Sequence, residues 1–211
     1  MFDRIAGVYD AMNSVMTAGL HHRWRERAAD LARVGPGTRA LDVATGTGDL
    51  AIALARRGGD VVGSDFSEGM LDVARKKAPA LTWEQGNALA LPYPDASFDA
   101  STVGFGARNF SDLPQGLREM ARVVRPGGRV VVLEITTPQK PPLSTFFSLW
   151  FDRLVPLLGR FDEAYTYLPN SVKRFPGPHA LGGMLVEAGC KDVGWILTAG
   201  GIIAIHHGTV H

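Results

Sequence analysis

The sequence predicts an α/β fold built on a mostly parallel sheet. From residue 38 onward, short apolar runs alternate with helix-length amphipathic segments, which is typical of βαβ units. A glycine-rich loop follows the first apolar run, and only Ala199-Gly200-Gly201 separates the last two. A turn that short joins antiparallel strands. We therefore expect a seven-stranded, mostly parallel sheet with an antiparallel C-terminal strand and helices on both faces.

Apolar runs and helix start and stop signals place each element. Strands are expected at 39–43, 61–64 (ending at Asp65), 81–85, 98–103 and 129–135, with two more near 192–198 and 202–207. Helices are expected at 49–57, 67–77, 113–124 and 179–188. Ser67 is a good N-cap for the second of these helices, and Pro79 stops it.

Composition fits one domain over residues 1–211 and excludes several classes of protein. Of the 211 residues, 45% are hydrophobic and 20% are charged, which excludes a disordered chain. The net charge of +1 gives no electrostatic reason to expect nucleic acid as a partner. The single cysteine, Cys190, excludes a disulfide framework and a thiolate metal cluster. No secretory signal is visible, so we expect a cytoplasmic protein.

Two segments do not fit the alternation of strands and helices. Residues 1–34 form an N-terminal extension that we expect to be helical. Residues 136–177 are rich in aromatic residues and proline where a short crossover is expected. Both are candidate lids over the carboxyl ends of the strands, where open α/β sheets bind ligands. We interpret them as an N-terminal lid and a substrate-side insertion.

The loop after the first strand has the spacing of a nucleoside-binding motif. Gly46-Thr47-Gly48-Asp49-Leu50-Ala51 matches G-x-G-x-x-A, between a strand and a helix. Glycines let the chain turn tightly and let a ligand approach the backbone. Nineteen residues after Gly46, Asp65 ends the next strand, where a carboxylate can accept both hydroxyls of a ribose. The alternative is a sharp structural turn beside a solvated aspartate.

Asp49 bears on which nucleoside binds. It lies at the helix N-terminus, where its charge suits the helix dipole but opposes a phosphate. The loop therefore favours a phosphate-free ligand with a positive centre, and S-adenosylmethionine fits that description. Gly86-Asn87-Ala88, after the third strand, could read an adenine. An NAD-dependent dehydrogenase is disfavoured by Asp49 and by the C-terminal hairpin.

These segments carry a resemblance over nearly the full chain. The matching segments are 2–3, 9–13, 24–25, 41–49, 65–71, 86–88, 104–109, 125–128, 167–169 and 200–202. The most specific are Gly86-Asn87-Ala88 and the run G-F-G-A-R-N at 104–109. The chain resembles the UbiE/MenG family of quinone-biosynthesis C-methyltransferases.

The resemblance implies a class I S-adenosylmethionine-dependent methyltransferase. Its acceptor would be a ring carbon of a polyprenylated demethylmenaquinol, in the last step of menaquinone biosynthesis. A ubiquinone-type benzoquinol or another small acceptor is the alternative, and a non-catalytic S-adenosylmethionine-binding subunit is a third interpretation. The expected cofactor-binding residues are Gly46, Thr47, Gly48, Asp65, Phe66, Asn87 and Ala88. Family members can have serine where this chain has Gly104, so no hydroxyl contact is expected there.

Arg108 is the first candidate for the catalytic site. It follows the fourth strand, and the resemblance places it in the active site. A guanidinium can hold a phenolate or position a water, but its high pKa makes it a poor base. The alternative is a surface ion pair. Tyr9 and Asp10 could close over the cofactor or belong to a helix docked on the sheet.

Histidines offer weaker candidates. His21-His22 could supply a base, although ordinary, partly exposed histidines are the favoured interpretation. His206-His207 would face opposite sides of a strand. No His/Asp/Glu set has the spacing of a metal site, so we expect no metal.

The expected partner is a lipid-tailed quinol. Residues 143–161 are apolar but too short and broken to span a bilayer. They could line a prenyl-chain groove, lie on a membrane surface, pack on the domain, or form a seam in a homo-oligomer.

Overall fold

The computed structural model describes residues 19–137, 171–172 and 174–211. The strands are β1 (Arg39–Val43), β2 (Asp60–Asp65), β3 (Thr82–Gln85), β4 (Phe98–Gly104), β5 (Val124–Ile135), β6 (Cys190–Thr198) and β7 (Ile203–Val210). The helices are α1 (Leu20–Ala32), α2 (Asp49–Ala55), α3 (Glu68–Lys77), α4 (Leu113–Arg122) and α5 (Pro178–Glu187). A short 3-10 helix covers Ala107–Asn109.

The strands form one seven-stranded sheet in the order β3-β2-β1-β4-β5-β7-β6. β1 to β5 pair in parallel, whereas β7 is antiparallel to both β5 and β6. The predicted fold class is therefore confirmed. β1 pairs with β2 on one side and with β4 on the other, so the chain reverses its direction of winding there. A ligand crevice is expected at the carboxyl ends of these strands.

Alternate residues of the central strands pack into two hydrophobic cores, one on each face of the sheet. Ala40 packs into the cluster that contains Leu54 of α2, and its neighbour Leu41 packs into the cluster that contains Leu117 of α4. This alternation follows from the two-residue period of a strand. The packing holds the loops at the strand ends in place.

The main boundary error in the prediction concerns β5. The run Arg125-Pro126-Gly127-Gly128 predicts a turn, but it lies within β5, and the pairing shifts register between Phe98 and Ala100 of β4. Gly127 adopts φ +83°, and a Cβ on Gly128 would lie 2.4 Å from the Asp99 carbonyl oxygen. Glycine therefore allows an irregular strand where a break was predicted.

The C-terminal apolar stretch forms the hairpin of β6 and β7, as its glycines predict. The turn places Gly200 at φ +68° and Gly201 at φ +89°. Among the described residues, no helix is long and apolar enough to cross a membrane. Most of the two candidate lids, including the apolar segment 143–161, lies outside the described residues.

Candidate functional site

A cavity of about 400 Å³ lies at the carboxyl edge of β1, β2, β3 and β4. Its wall includes six of the seven residues expected to bind the cofactor: Gly46, Thr47, Asp65, Phe66, Asn87 and Ala88. They come from three separate loops. The tertiary fold thus brings together, around one space, residues that the sequence placed at the ends of different strands.

The seventh residue, Gly48, supports the loop from below. It precedes α2 with φ +86°, a conformation that favours glycine. A Cβ at this position would lie 2.4 Å from Cη2 of Trp83. At Gly46 a Cβ would meet nothing within 4 Å, although φ is +57°. Gly48 therefore allows close packing on β3, while Gly46 leaves the backbone accessible from the cavity.

Asp65 closes β2 and holds the glycine loop. Its Oδ2 accepts a hydrogen bond of 2.8 Å from the backbone N–H of Gly46, and its Oδ1 accepts one of 2.9 Å from that of Ser67. Ser67 in turn caps α3 by accepting from the N–H of Met70. Each carboxylate oxygen has a second lone pair. The carboxylate can therefore accept ligand hydroxyls while it stays fixed to the loop.

Two further loops complete this side of the cavity. Phe66 exposes 77% of its surface, which is unusual for so large an apolar side chain. Asn87 Oδ1 accepts a 3.0 Å hydrogen bond from the N–H of Leu89 and so fixes the turn after β3. An exposed ring beside a rigid turn suits a flat heterocycle.

Asp42 supports the site, and the sequence analysis did not identify it. It is buried in β1 and accepts hydrogen bonds of 2.6 Å from the hydroxyls of both Thr45 and Thr102. Burial raises its pKa to about 6, against the opposing effect of these hydrogen bonds. A carboxylate inside an otherwise apolar strand was the available signal. It anchors the loop to β4.

Asp49 belongs to a cluster of charges. Lys77 Nζ lies 2.5 Å from its Oδ1, and Arg25 Nη2 lies 3.6 Å from its Oδ2. Burial favours a higher pKa for Asp49, but Arg25 and Lys77 outweigh it, and the pKa falls below its ordinary value. Two cations therefore balance this carboxylate. The sequence argument that Asp49 alone repels phosphate is correspondingly weaker.

Arg108 lies in a buried ion pair rather than on the surface. Its Nη1 lies 2.6 Å from Glu134 Oε1 and donates to the Phe105 carbonyl at 2.6 Å. Among the described residues, its side chain lines a second cavity of about 400 Å³, and not the first. The two cavities share Asn109, Phe110 and Ser111. The sequence pointed to Arg108, but only the fold revealed Glu134, which is 26 residues away.

The histidine pairs have different surroundings. His21, His22 and Asp49 place possible ligand atoms within 4.8 Å of one another, a grouping that their spacing in the sequence does not reveal. Arg25 contacts His21 Nδ1 and Asp49, and Lys77 holds Asp49, so cations already surround this group. His206 bonds to the Pro178 carbonyl, and burial lowers its pKa to about 4. Tyr9 and Asp10 lie outside the described residues.

Known proteins share both sequence and fold with this chain. A demethylmenaquinone methyltransferase of Thermus thermophilus is 46% identical, covering 99% of this chain and 99% of its own length. The protein of the same name from Deinococcus radiodurans is 47% identical, covering 95% and 87%. A SAM-dependent methyltransferase from Aquifex aeolicus shares the fold, with a TM-score of 0.64, 20% identity and 89% coverage of each chain. The model of the ubiE/COQ5 methyltransferase family matches residues 1–210, and the chain therefore belongs to that family.

Proposed function

We propose that this chain transfers the methyl group of S-adenosylmethionine to a ring carbon of a polyprenylated demethylmenaquinol. The cavity at the carboxyl edge of the sheet carries the proposal, because it gathers the glycine loop, Asp65 and the 86–88 turn around one space. Relatives named demethylmenaquinone methyltransferases, 46% and 47% identical, support the choice of acceptor.

The described residues fit S-adenosylmethionine. A volume of about 400 Å³ falls within the range of small-molecule pockets. Asp65 offers acceptors for the two ribose hydroxyls, and the ring of Phe66 offers a face for the purine. When bound, the sulfonium supplies an activated methyl group, so the chain itself must orient the acceptor and stabilise charge on it.

Arg108 is our candidate for charge stabilisation. A ring carbon becomes nucleophilic when a neighbouring phenol loses its proton, and the resulting phenolate needs a cation. The guanidinium of Arg108 cannot act as a base, but it can donate hydrogen bonds to a phenolate or a water. Glu134 fixes its orientation through the 2.6 Å ion pair. The second cavity, which Arg108 lines, adjoins the first and suits the acceptor ring.

Isotope transfer tests the proposal. The protein is incubated with methyl-labelled S-adenosylmethionine and reduced demethylmenaquinone, and the label is located by mass spectrometry and NMR. We expect the label on the ring carbon. A parallel reaction with a benzoquinol tests the alternative acceptor. Label on oxygen, or no transfer to either quinol, would reject the proposal.

We also propose peripheral contact with a membrane, because the prenyl tail of the acceptor partitions into lipid. Liposome flotation of the wild type against the Phe147→Glu/Trp150→Glu variant tests this contact. Equal flotation of the two proteins would show that residues 143–161 do not contribute to membrane binding.

A further inference from the structure

Arg25 is a buried cation on the wall of the first cavity. It lies on α1 and is only 6% exposed. Its guanidinium carbon lies 5.3 Å from the centre of the Phe105 ring. It also contacts His21 Nδ1 and lies 3.6 Å from Asp49. An aromatic face, an imidazole and a carboxylate therefore hold the guanidinium at the cavity.

The order of the strands indicates which end of the cavity holds which part of the ligand. Asp65 and the 86–88 turn follow β2 and β3, which lie side by side at one end of the sheet. The glycine loop and Phe105 follow β1 and β4, further along the sheet. If the ribose and adenine occupy the β2–β3 side, the amino-acid part of the ligand extends toward β1 and β4. Arg25 lies on that side, against Phe105.

The charges of the cavity wall match those of the ligand. Among the described residues that line the cavity, Arg25 is the only lysine, arginine or histidine, whereas Asp49 and Asp65 are both carboxylates. S-adenosylmethionine carries two positive groups and a single negative one, its α-carboxylate. We propose that the guanidinium of Arg25 binds the α-carboxylate of S-adenosylmethionine and so positions the methyl donor.

The geometry of the guanidinium supports this role. Its Nη1 contacts His21 and its Nη2 lies nearest Asp49, and a guanidinium has five N–H donors in a planar fork. At 3.6 Å, the ion pair with Asp49 is longer than the 2.7–2.9 Å of a charge-assisted hydrogen bond. A carboxylate that enters the cavity can therefore form shorter bonds with the same cation. Asp49 remains beside it as a counterpart for the α-ammonium.

Two ligands that differ only by the carboxylate test the proposal. Calorimetry without acceptor gives the Kd of S-adenosylmethionine and of decarboxylated S-adenosylmethionine, for the wild type and for Arg25→Met. We expect the wild type to prefer the carboxylated ligand, and Arg25→Met to lose about 10- to 100-fold of that preference, as expected for a hydrogen bond to a charged group. The affinity for the decarboxylated ligand should change little.

Arg56→Met is the matched control, because Arg56 is an exposed cation paired with Glu26 and does not line this cavity. Its preference should equal that of the wild type. Equal affinity of the wild type for both ligands would overturn the proposal, and so would equal weakening of both by Arg25→Met. Should Arg25→Met fail to fold, Arg25→Gln takes its place, because its polar amide carries no charge: a reduced preference supports the proposal, and an unchanged one overturns it.

The inference rests on S-adenosylmethionine as donor within the proposed function, but not on the quinol. Because no acceptor is present, the binding experiment fails or succeeds independently of the methyl-transfer assay. Loss of ring methylation with an intact carboxylate preference would reject only the assignment of the acceptor.

Discussion

Gly48→Ala should destabilise the protein far more than Gly46→Ala. Both glycines have positive φ, +86° and +57°, which costs an L-residue about 1–2 kcal/mol. Only at Gly48 would the new Cβ lie 2.4 Å from Trp83, and overpacking of this kind costs about 1–3 kcal/mol. We therefore expect a loss of about 2–5 kcal/mol for Gly48→Ala and of about 1–2 kcal/mol for Gly46→Ala.

Urea unfolding followed by circular dichroism measures both losses, and the slopes should agree with that of the wild type. A double-mutant cycle with Trp83→Phe isolates the clash, because the shorter side chain lacks the outer ring atoms of tryptophan. We expect the cost of Gly48→Ala to fall by about 1–3 kcal/mol in that background. Equal losses for the two glycine variants, or a cost that does not depend on residue 83, would refute the reasoning.

Three further predictions follow from the contacts at the site. Arg108→Met should lower the free energy of unfolding by about 3–5 kcal/mol, because it leaves the carboxylate of Glu134 buried without its ion-pair partner. Adding Glu134→Gln should restore stability but not kcat. Recovery of turnover in the double variant would refute a catalytic role for Arg108. Phe66→Ala should weaken the binding of S-adenosylhomocysteine by about 1–3 kcal/mol, because the purine loses the ring on which it stacks. The urea midpoint should stay nearly unchanged, because the Phe66 ring is exposed. An unchanged affinity in calorimetry would exclude stacking of the purine on Phe66. Burial raises the pKa of Asp42 in the folded state to about 6, above the ordinary value of 3.8 for an aspartate. The folded state therefore binds the proton more tightly, and stability falls as pH rises through this window. Relative to Asp42→Asn, the wild type should lose about 2 kcal/mol between pH 4 and pH 7, and parallel stability curves would contradict this.

The elements and their loops were predictable because their signals are local. Ser67 caps α3 as its position before an apolar helix predicts. The spacing from Gly46 to Asp65 follows from one helix and one strand, α2 and β2, and the structure joins the two residues by a 2.8 Å hydrogen bond. The predicted start of β5 was wrong because Pro126 and Gly127 normally end an element. Here Val124 already pairs with Phe98 of β4, and pairing resumes at Arg129 after a register shift, so the strand extends across the bulge that contains these two residues.

The sequence by itself determined the α/β order, the antiparallel C-terminal strand and the loop residues at the strand ends, because each is encoded by neighbours within one or two elements. Only the tertiary structure decided which distant side chains meet there. Trp83 lies beneath Gly48, Glu134 pairs with Arg108, and Arg25 reaches the cavity from another helix. Such contacts depend on how the helices pack across the sheet, and no local spacing along the chain specifies that packing.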